Sequence, residues 1–191
     1  MAYKRITTKF IKILILILLI LLILILIFYL INKKIKSTET FNNYKKIPLN
    51  IYQTWHTKEL PPNLLKYNNI LKKNNPEFTF YLYDENECRE FIKKHFNKNV
   101  LDAYDKLIPY AYKADLWRYC ILYINGGIYL DIKYYTINNF KLLTLTDKEY
   151  FVKDRPAERQ AIYNALIVSA AGNKILLDCI TPFSLKNGTV I

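Results

Sequence analysis

Nineteen consecutive residues from Ile13 to Ile31 carry no charge, and nearly all are Ile or Leu. A bilayer core of about 30 Å needs about 20 apolar residues at a rise of about 1.5 Å each. The run meets that need, and Phe10 and Ile11 can extend it. A cleaved signal peptide has a shorter apolar core, about 7–15 residues, followed by small residues at the cleavage site. No such site follows Ile31. The pattern predicts a basic N-terminal tail over 1–12, one uncleaved transmembrane helix over 13–31 and a polar stem over 32–46. Residues 47–191 remain as one domain, long enough for a single core and not for two.

Within that domain, strand-like and helix-like stretches alternate. Ile47 to Trp55 reads as a strand running into a loop, because branched and aromatic residues give way to polar ones. Pro61-Pro62 opens a helix that ends near Asn74-Asn75-Pro76. Phe78 to Tyr83 is a second strand. Asp84 is the N-cap of a helix reaching about Lys94, with Glu87 as its capping-box partner. A short helix covers Val100 to Leu107. Pro109 begins a longer one through Tyr123, stopped by Asn125-Gly126-Gly127. Leu116, Tyr119, Cys120 and Tyr123 form its expected buried stripe. Ile128 to Asp131 is a third strand and Glu149 to Val152 a fourth. Residues 159–169 are ambiguous, and Asn173 to Ile180 reads as helix. There is no internal repeat, and the alternation predicts an α/β sheet layered with helices.

Charge sharpens this division. Residues 1–46 carry nine Lys/Arg and one Glu, whereas 47–191 carry nineteen Lys/Arg and fifteen Asp/Glu. The domain is only mildly basic, so the overall charge of +12 is no argument for nucleic acid, and none is expected as a partner. Lysines lie on both sides of the apolar run, so the positive-inside rule does not decide orientation. A single-pass protein with a lumen-facing domain on an endomembrane is the expectation. The three cysteines, Cys88, Cys120 and Cys179, match no zinc spacing, and an odd number cannot all pair within one chain. Cys120 reads as a small core residue. The sequon Asn187-Gly188-Thr189 permits glycosylation of a lumenal domain.

Candidate chemistry concentrates in Lys113-Ala-Asp115-Leu-Trp-Arg118-Tyr119 and Gly126-Gly127-Ile-Tyr-Leu-Asp131-Ile-Lys133. Asp115 and Arg118 are three apart on a helix and share a face, where they can simply pair. The glycine pair turns that helix straight into a strand, and Asp131 falls at the strand's carboxyl end. Ligands of open α/β sheets bind outside such ends. Asp115, Arg118 and Asp131 are therefore expected to converge on one cleft.

These motifs resemble the sugar-nucleotide-dependent glycosyltransferases with a DXD sugar-binding region, family 32 in particular, which includes initiating mannosyltransferases. The large clostridial glucosylating toxins are similar at greater distance. The resemblance covers roughly 47–135. It rests on Ile47-Pro48 with Gln53-Thr54-Trp55, on Asn75-Pro76-Glu77 followed by Tyr81-Leu-Tyr-Asp84, and on the helix and strand that carry Asp115, Arg118 and Asp131. It implies a GT-A-like nucleotide-diphosphosugar-binding fold and transfer of a hexose, with retention, from a nucleotide-diphosphate sugar to an acceptor hydroxyl on a glycan, lipid or protein. By the same resemblance Trp55 would stack on the base, Asp115 and Arg118 would hold donor sugar hydroxyls, and Asp131 would contact sugar or ribose and a divalent metal. Trp55 has the alternative of a core aromatic, and Asp84 reads as structural.

The chain departs from the pattern where the second motif carboxylate should stand. That position is Lys133, whose ammonium has donors and no acceptor. Three readings stay open. Lys133 neutralises the diphosphate directly; manganese or magnesium binds through Asp131, diphosphate and water; or catalysis is lost. Arg118, Asp131 and Lys133 are the catalytic candidates. No nucleophile or general base is assignable, and neither His56 nor His95 has a compelling partner. Only 58 residues follow Lys133, so the domain is expected to be C-terminally short, with Asp154-Arg155, Asn164 and Asn173–Ile180 resembling the start of a longer portion. The alternative function is a catalytically weak domain that binds a nucleotide sugar or glycan, or partners an active transferase.

Overall fold

A computed structural model describes residues 15–33, 47–154 and 161–184. The N-terminal tail, most of the stem, Ile13 and Leu14, Arg155 and the 187–189 sequon lie outside the described residues. The chain divides into two units, Met1–Tyr44 and Lys45–Ile191. In the first, helix α1 (Ile15–Lys33) has 19 residues, a mean hydropathy of 3.3 and no buried share, so by length and composition it is apolar enough to cross a membrane. It runs two residues past the predicted end at Ile31.

The second unit is built on a five-stranded sheet. Its elements are β1 (Asn50–Thr54), α2 (Pro62–Asn74), β2 (Thr79–Tyr83), α3 (Glu85–His95), α4 (Lys98–Lys106), α5 (Tyr110–Asn125), β3 (Gly127–Leu130), a short 3-10 helix (Leu142–Leu145), β4 (Tyr150–Lys153), β5 (Ile162–Ser169) and α6 (Lys174–Ser184). The strand order is β2-β1-β3-β5-β4. β1 runs parallel to both β2 and β3, while β5 is antiparallel to β3 and β4. The expected α/β sheet layered with helices is what forms.

Alternation along β1 and β3 sends side chains to two cores. Tyr52 and Tyr129 join Ile167 in one core, beneath α3, α4, α5 and α6. Ile51, Ile128, Leu130 and Val168 face the other, with Leu71 of α2 and Leu142. The Asp84 cap is present in full: its carboxylate accepts from the Glu87 N–H at 2.9 Å, and its own N–H donates to Glu87 at 3.1 Å. Cys120 is fully buried, as a core residue should be.

Two expectations are corrected. The ambiguous stretch 159–169 contains β5, an eight-residue strand hydrogen-bonded on both edges. Ala165, Ile167 and Val168 are buried in it, and such covered strands read as apolar runs without clear alternation. The stripe on α5 is also wider than predicted. Ala114, Leu116, Trp117, Arg118, Cys120, Ile121 and Leu122 are buried, whereas Tyr119 and Tyr123 are only half-buried. A helix packed against both the sheet and α6 loses the single polar face that a surface helix shows.

The turn from α5 into β3 depends on its two glycines. Gly126 has φ of 63° and Gly127 of 115°. A Cβ on Gly127 would sit 2.7 Å from the Asn50 carbonyl oxygen, and one on Gly126 2.7 Å from the Ala171 nitrogen. Close approach of backbone to backbone thus lets β3 leave the helix at once and lie against β1. Gly127→Ala is expected to lower stability by about 2 kcal/mol, from strained φ plus the clash. A urea or thermal melt of the folded domain signal checks it, and an unchanged midpoint would count against this account of the turn.

Candidate functional site

The strand order places a crevice between β1 and β3. From β1 the chain crosses to β2 on one side, while β3 lies on the other, so neighbouring carboxyl ends open away from each other there. A cavity of about 320 Å³ occupies this position. That is the small end of the range for ligand pockets. Thr54, Trp55 and His56 line it from the end of β1. Tyr110, Ala114 and Arg118 line it from α5, at the four-residue spacing that keeps side chains on one helix face. Tyr129, Asp131 and Lys133 close it from β3 and the turn beyond.

Arg118 organises the site. Its guanidinium is almost wholly buried, with 4% of the residue exposed. Nε donates to the Ala114 carbonyl at 3.2 Å and Nη1 to the Asn164 carbonyl at 2.8 Å. Nη2 lies 2.9 Å from the Asp115 carboxylate and 3.5 Å from that of Asp131. The Tyr129 ring lies beneath the guanidinium carbon, 4.4 Å from its centroid. A buried cation is tolerable only when paired and hydrogen-bonded, and the planar fork of arginine reaches all these acceptors at once.

The three residues expected to converge therefore do so, but not with equal roles. Asp131 lines the cavity and accepts from the Tyr129 hydroxyl at 2.8 Å. Its N–H remains bonded to the Ala165 carbonyl at 3.0 Å, so the sheet holds it although β3 ends one residue earlier than predicted. Asp115 grips Arg118 at 2.9 Å and accepts from the Asn164 amide at 3.0 Å, with 38% of its side chain exposed. Burial pushes its carboxyl above the ordinary carboxylate range, and the nearby Asp131 charge adds to this. Arg118 and the Asn164 amide pull the other way. Burial likewise raises the Tyr129 hydroxyl well above its usual value, so it stays a proton donor to Asp131.

Trp55 is half-buried at the cavity mouth. Its N–H donates to the Tyr83 carbonyl at 3.1 Å and its carbonyl accepts from the Tyr110 hydroxyl at 2.9 Å. His56 is exposed and packs on the Tyr110 ring at 4.3 Å, while His95 lies at the end of α3 against Phe91 at 4.5 Å. Lys133 is exposed in the cavity wall, and among the described residues no carboxylate pairs with it.

A divalent ion of the manganese or magnesium kind takes about six oxygen ligands. Among the described residues no three His, Cys, Asp or Glu side chains cluster to hold one. Both nearby carboxylates face the Arg118 cation, and the next motif position is an ammonium. The described residues do not by themselves fit a resident divalent metal.

Several contributors were not assigned a role from the sequence. Tyr129 stands two residues before Asp131, a spacing that puts both on one strand face, and that spacing was the available signal. Tyr110 and Ala114 precede Arg118 by eight and four residues on α5. Asn164, noted only as part of a C-terminal portion, reaches the site because β5 pairs with β3, which no local pattern announces.

Comparison with known proteins agrees with this geometry. Residues 61–152 match the glycosyltransferase sugar-binding region containing the DXD motif. An uncharacterized glycosyltransferase of Acanthamoeba polyphaga mimivirus is 42% identical over 88 residues, 45% of this chain and 35% of that protein. The initiation-specific alpha-1,6-mannosyltransferase of Candida albicans is 33% identical over 98 residues, 48% of this chain and 26% of its own. Inositol phosphoceramide mannosyltransferase 3 of Schizosaccharomyces pombe is 35% identical over 91 residues, 48% of this chain and 25% of its own. The chain thus matches about a third or less of the length of these relatives. Among solved structures, the PaToxG glycosyltransferase has a TM-score of 0.56 at 19% identity, over 83% of this chain and 74% of that one. The resemblance to family 32 and the glycosyltransferase-like α/β fold are both borne out.

Removing the Asn164 amide takes away a donor to the charged form of Asp115. Asn164→Ala is therefore expected to raise the Asp115 carboxyl further, in a titration followed by carboxyl-carbon NMR. A fall, or no movement, would show that the amide does not stabilise this carboxylate.

Proposed function

Starting from residues 61–152 as a glycosyltransferase sugar-binding region, we propose that this chain is a membrane-anchored glycosyltransferase. It transfers a hexose from a nucleotide-diphosphate sugar to an acceptor hydroxyl on a glycan, lipid or protein, with α1 as the anchor. The observation that carries this reading is the buried Arg118 held between Asp115 and Asp131, in a strand-end crevice that Lys133 also lines. The relatives named as mannosyltransferases make a mannose donor the first to test.

In this reading Trp55 offers an aromatic face to the base at the cavity mouth. Asp131 accepts from donor sugar hydroxyls, fixed in place by Tyr129 and Arg118. Asp115 acts through Arg118, keeping the guanidinium turned toward Asp131. Transfer breaks the bond between the anomeric carbon and the β-phosphate oxygen, and the acceptor oxygen forms a new bond to that carbon. The acceptor proton is released, and the diphosphate leaves with the electrons of the broken bond.

The protein must stabilise that leaving charge, and a preorganised cation does so without reorganisation in the transition state. Local charge favours Lys133 for this task. Asp115 and Asp131 against Arg118 and Lys133 sum to zero. With a carboxylate in place of Lys133 the same four groups would carry −2, which one divalent ion would cancel. Lysine at this position therefore supplies the charge balance that a metal supplies to a DXD pair, and it acts on the diphosphate as a point charge. The catalytically weak binding domain is the second reading, favoured by the same substitution.

The full chain in detergent or nanodiscs is expected to release nucleotide diphosphate from a UDP- or GDP-sugar, GDP-mannose first, with undiminished rate in a chelator. Asp131→Asn is expected to slow release by about 100-fold or more, the scale for loss of one preorganised electrostatic contact. Lys133→Asp should make any remaining turnover dependent on manganese. Saturable binding without release supports the binding-domain reading, and loss of wild-type turnover in chelator would overturn the role given to Lys133.

A further inference from the structure

The face of the sheet opposite α3–α6 is buried at its centre, at Ile51, Ile128, Leu130 and Val168. α2 packs there through Asn68 and Leu71, and the segment after Lys133 folds beside it. Asn75 accepts from the Leu142 N–H at 2.9 Å, and Lys141 reaches the Asn74 carbonyl, so the two segments form one surface. Tyr67 of α2 stacks on Tyr135 of the loop with ring centroids 5.5 Å apart. Around that pair, large apolar side chains point outward: Tyr135 is 58% exposed, Ile137 65%, Phe140 43% and Ile70 46%. A cavity lined by Tyr134, Tyr135, Ile137 and Phe140 lies at the same place.

The charge on this surface is mainly basic. Residues 62–75 and 132–146 contain Lys66, Lys72, Lys73, Lys133 and Lys141, and no Asp or Glu. Glu77 and Asp147 border these two segments, and the larger acidic group, Glu85, Glu87, Glu90, Asp102 and Asp105, is on α3 and α4, in the layer on the other side of the sheet. Exposed Tyr, Phe and Ile among lysines that outnumber carboxylates is the composition that seats a surface in the headgroup layer of an anionic bilayer. A protein partner of acidic charge would satisfy the lysines but leave the aromatic loop without a reason to be rimmed mainly by them.

Connectivity supplies the bilayer. Helix α1 ends at Lys33 and the domain's first buried residue is Ile47. Fourteen residues cannot span more than about 50 Å even fully extended, at about 3.3–3.6 Å each. A membrane crossed by α1 is therefore always within reach of the domain.

We propose that the surface formed by α2 and the 134–143 loop docks on the anionic headgroup layer of the membrane that α1 crosses, which requires the domain to face the cytoplasmic leaflet, where anionic lipid is concentrated, and not the lumenal side expected from the sequence. The loop begins one residue after Lys133, so docking would set the strand-end crevice at the bilayer surface, where an acceptor carried on a lipid would be presented. The docking itself does not depend on catalysis, and its test reads none.

The full chain carrying Cys179→Ser, with Cys88 and Cys120 left in place because both are buried, is reconstituted in vesicles with and without phosphatidylserine, and one added exposed cysteine at a time is labelled with an environment-sensitive dye. Labels are placed at Ile137→Cys and, as a second site, Phe140→Cys. The control is Asp178→Cys on α6, exposed on the opposite layer. A quencher fixed at the lipid headgroups is expected to reduce emission at 137 and 140 several-fold more than at 178 in the anionic vesicles. Lys66→Glu with Lys73→Glu should shrink that difference, as should removal of phosphatidylserine. Equal quenching at all three sites overturns the proposal. So does protection of 137 from both the lipid quencher and aqueous iodide, which would mean that protein covers the loop. Energy transfer between labelled copies that rises with protein-to-lipid ratio, without headgroup quenching, would replace the membrane by a second copy and also overturn it.

Discussion

A guanidinium taken out of water must be surrounded by acceptors, and Arg118 is surrounded by acceptors from three elements. Ala114 and Asp115 come from its own helix, Asn164 from β5, and Asp131 from the end of β3. Desolvation of an unpaired charge would cost several kcal/mol, so these groups are constrained to one arrangement. The crevice inherits its shape from that constraint. α5 cannot rotate, β5 cannot slip against β3, and Asp131 cannot leave the strand end without stranding a buried cation. Trp55 and Tyr110 are added to the same frame by hydrogen bonds around the end of β1.

The frame is possible because α5 and β3 are joined by almost nothing. Two glycines with positive φ let the chain turn from helix to strand where any Cβ would meet backbone. A longer connection would move Asp131 away from Arg118 or let it wander. Compactness at this turn and convergence at the site are therefore one property. The parallel pairing of β1 with β3 then supplies the second wall of the crevice, since Thr54 and Trp55 emerge beside Asp131.

Among the described residues, charge is balanced in this site without a cluster of metal-ligating side chains. Two carboxylates meet two cations, one buried and fully engaged, the other exposed and free of any described carboxylate. That difference in engagement assigns them different work. Arg118 is tied to structure and to Asp131, while Lys133 has no such tie among the described residues. The same segment that begins with Lys133 continues into the exposed aromatic loop, so ligand chemistry and the outer apolar surface are adjacent along the chain as well as in space.

Much of this was legible in the residues alone. The apolar run, the Asp84 cap, the glycine stop after α5 and the grouping of Asp115, Arg118 and Asp131 all rest on local signals. Capping, turn chemistry and helix periodicity act over a few residues, and a short tight turn leaves few ways to place the strand beyond it. Other features needed the folded chain. β5 gave no clear period because its C-terminal half is covered on both faces, and Asn164 enters the site only through its pairing with β3. The bond from the Asn164 amide to Asp115, and the meeting of α2 with the 134–143 loop, join residues far apart along the chain. Short-range chemistry states which groups are available; long-range strand pairing and the cost of burying a charge state which of them touch.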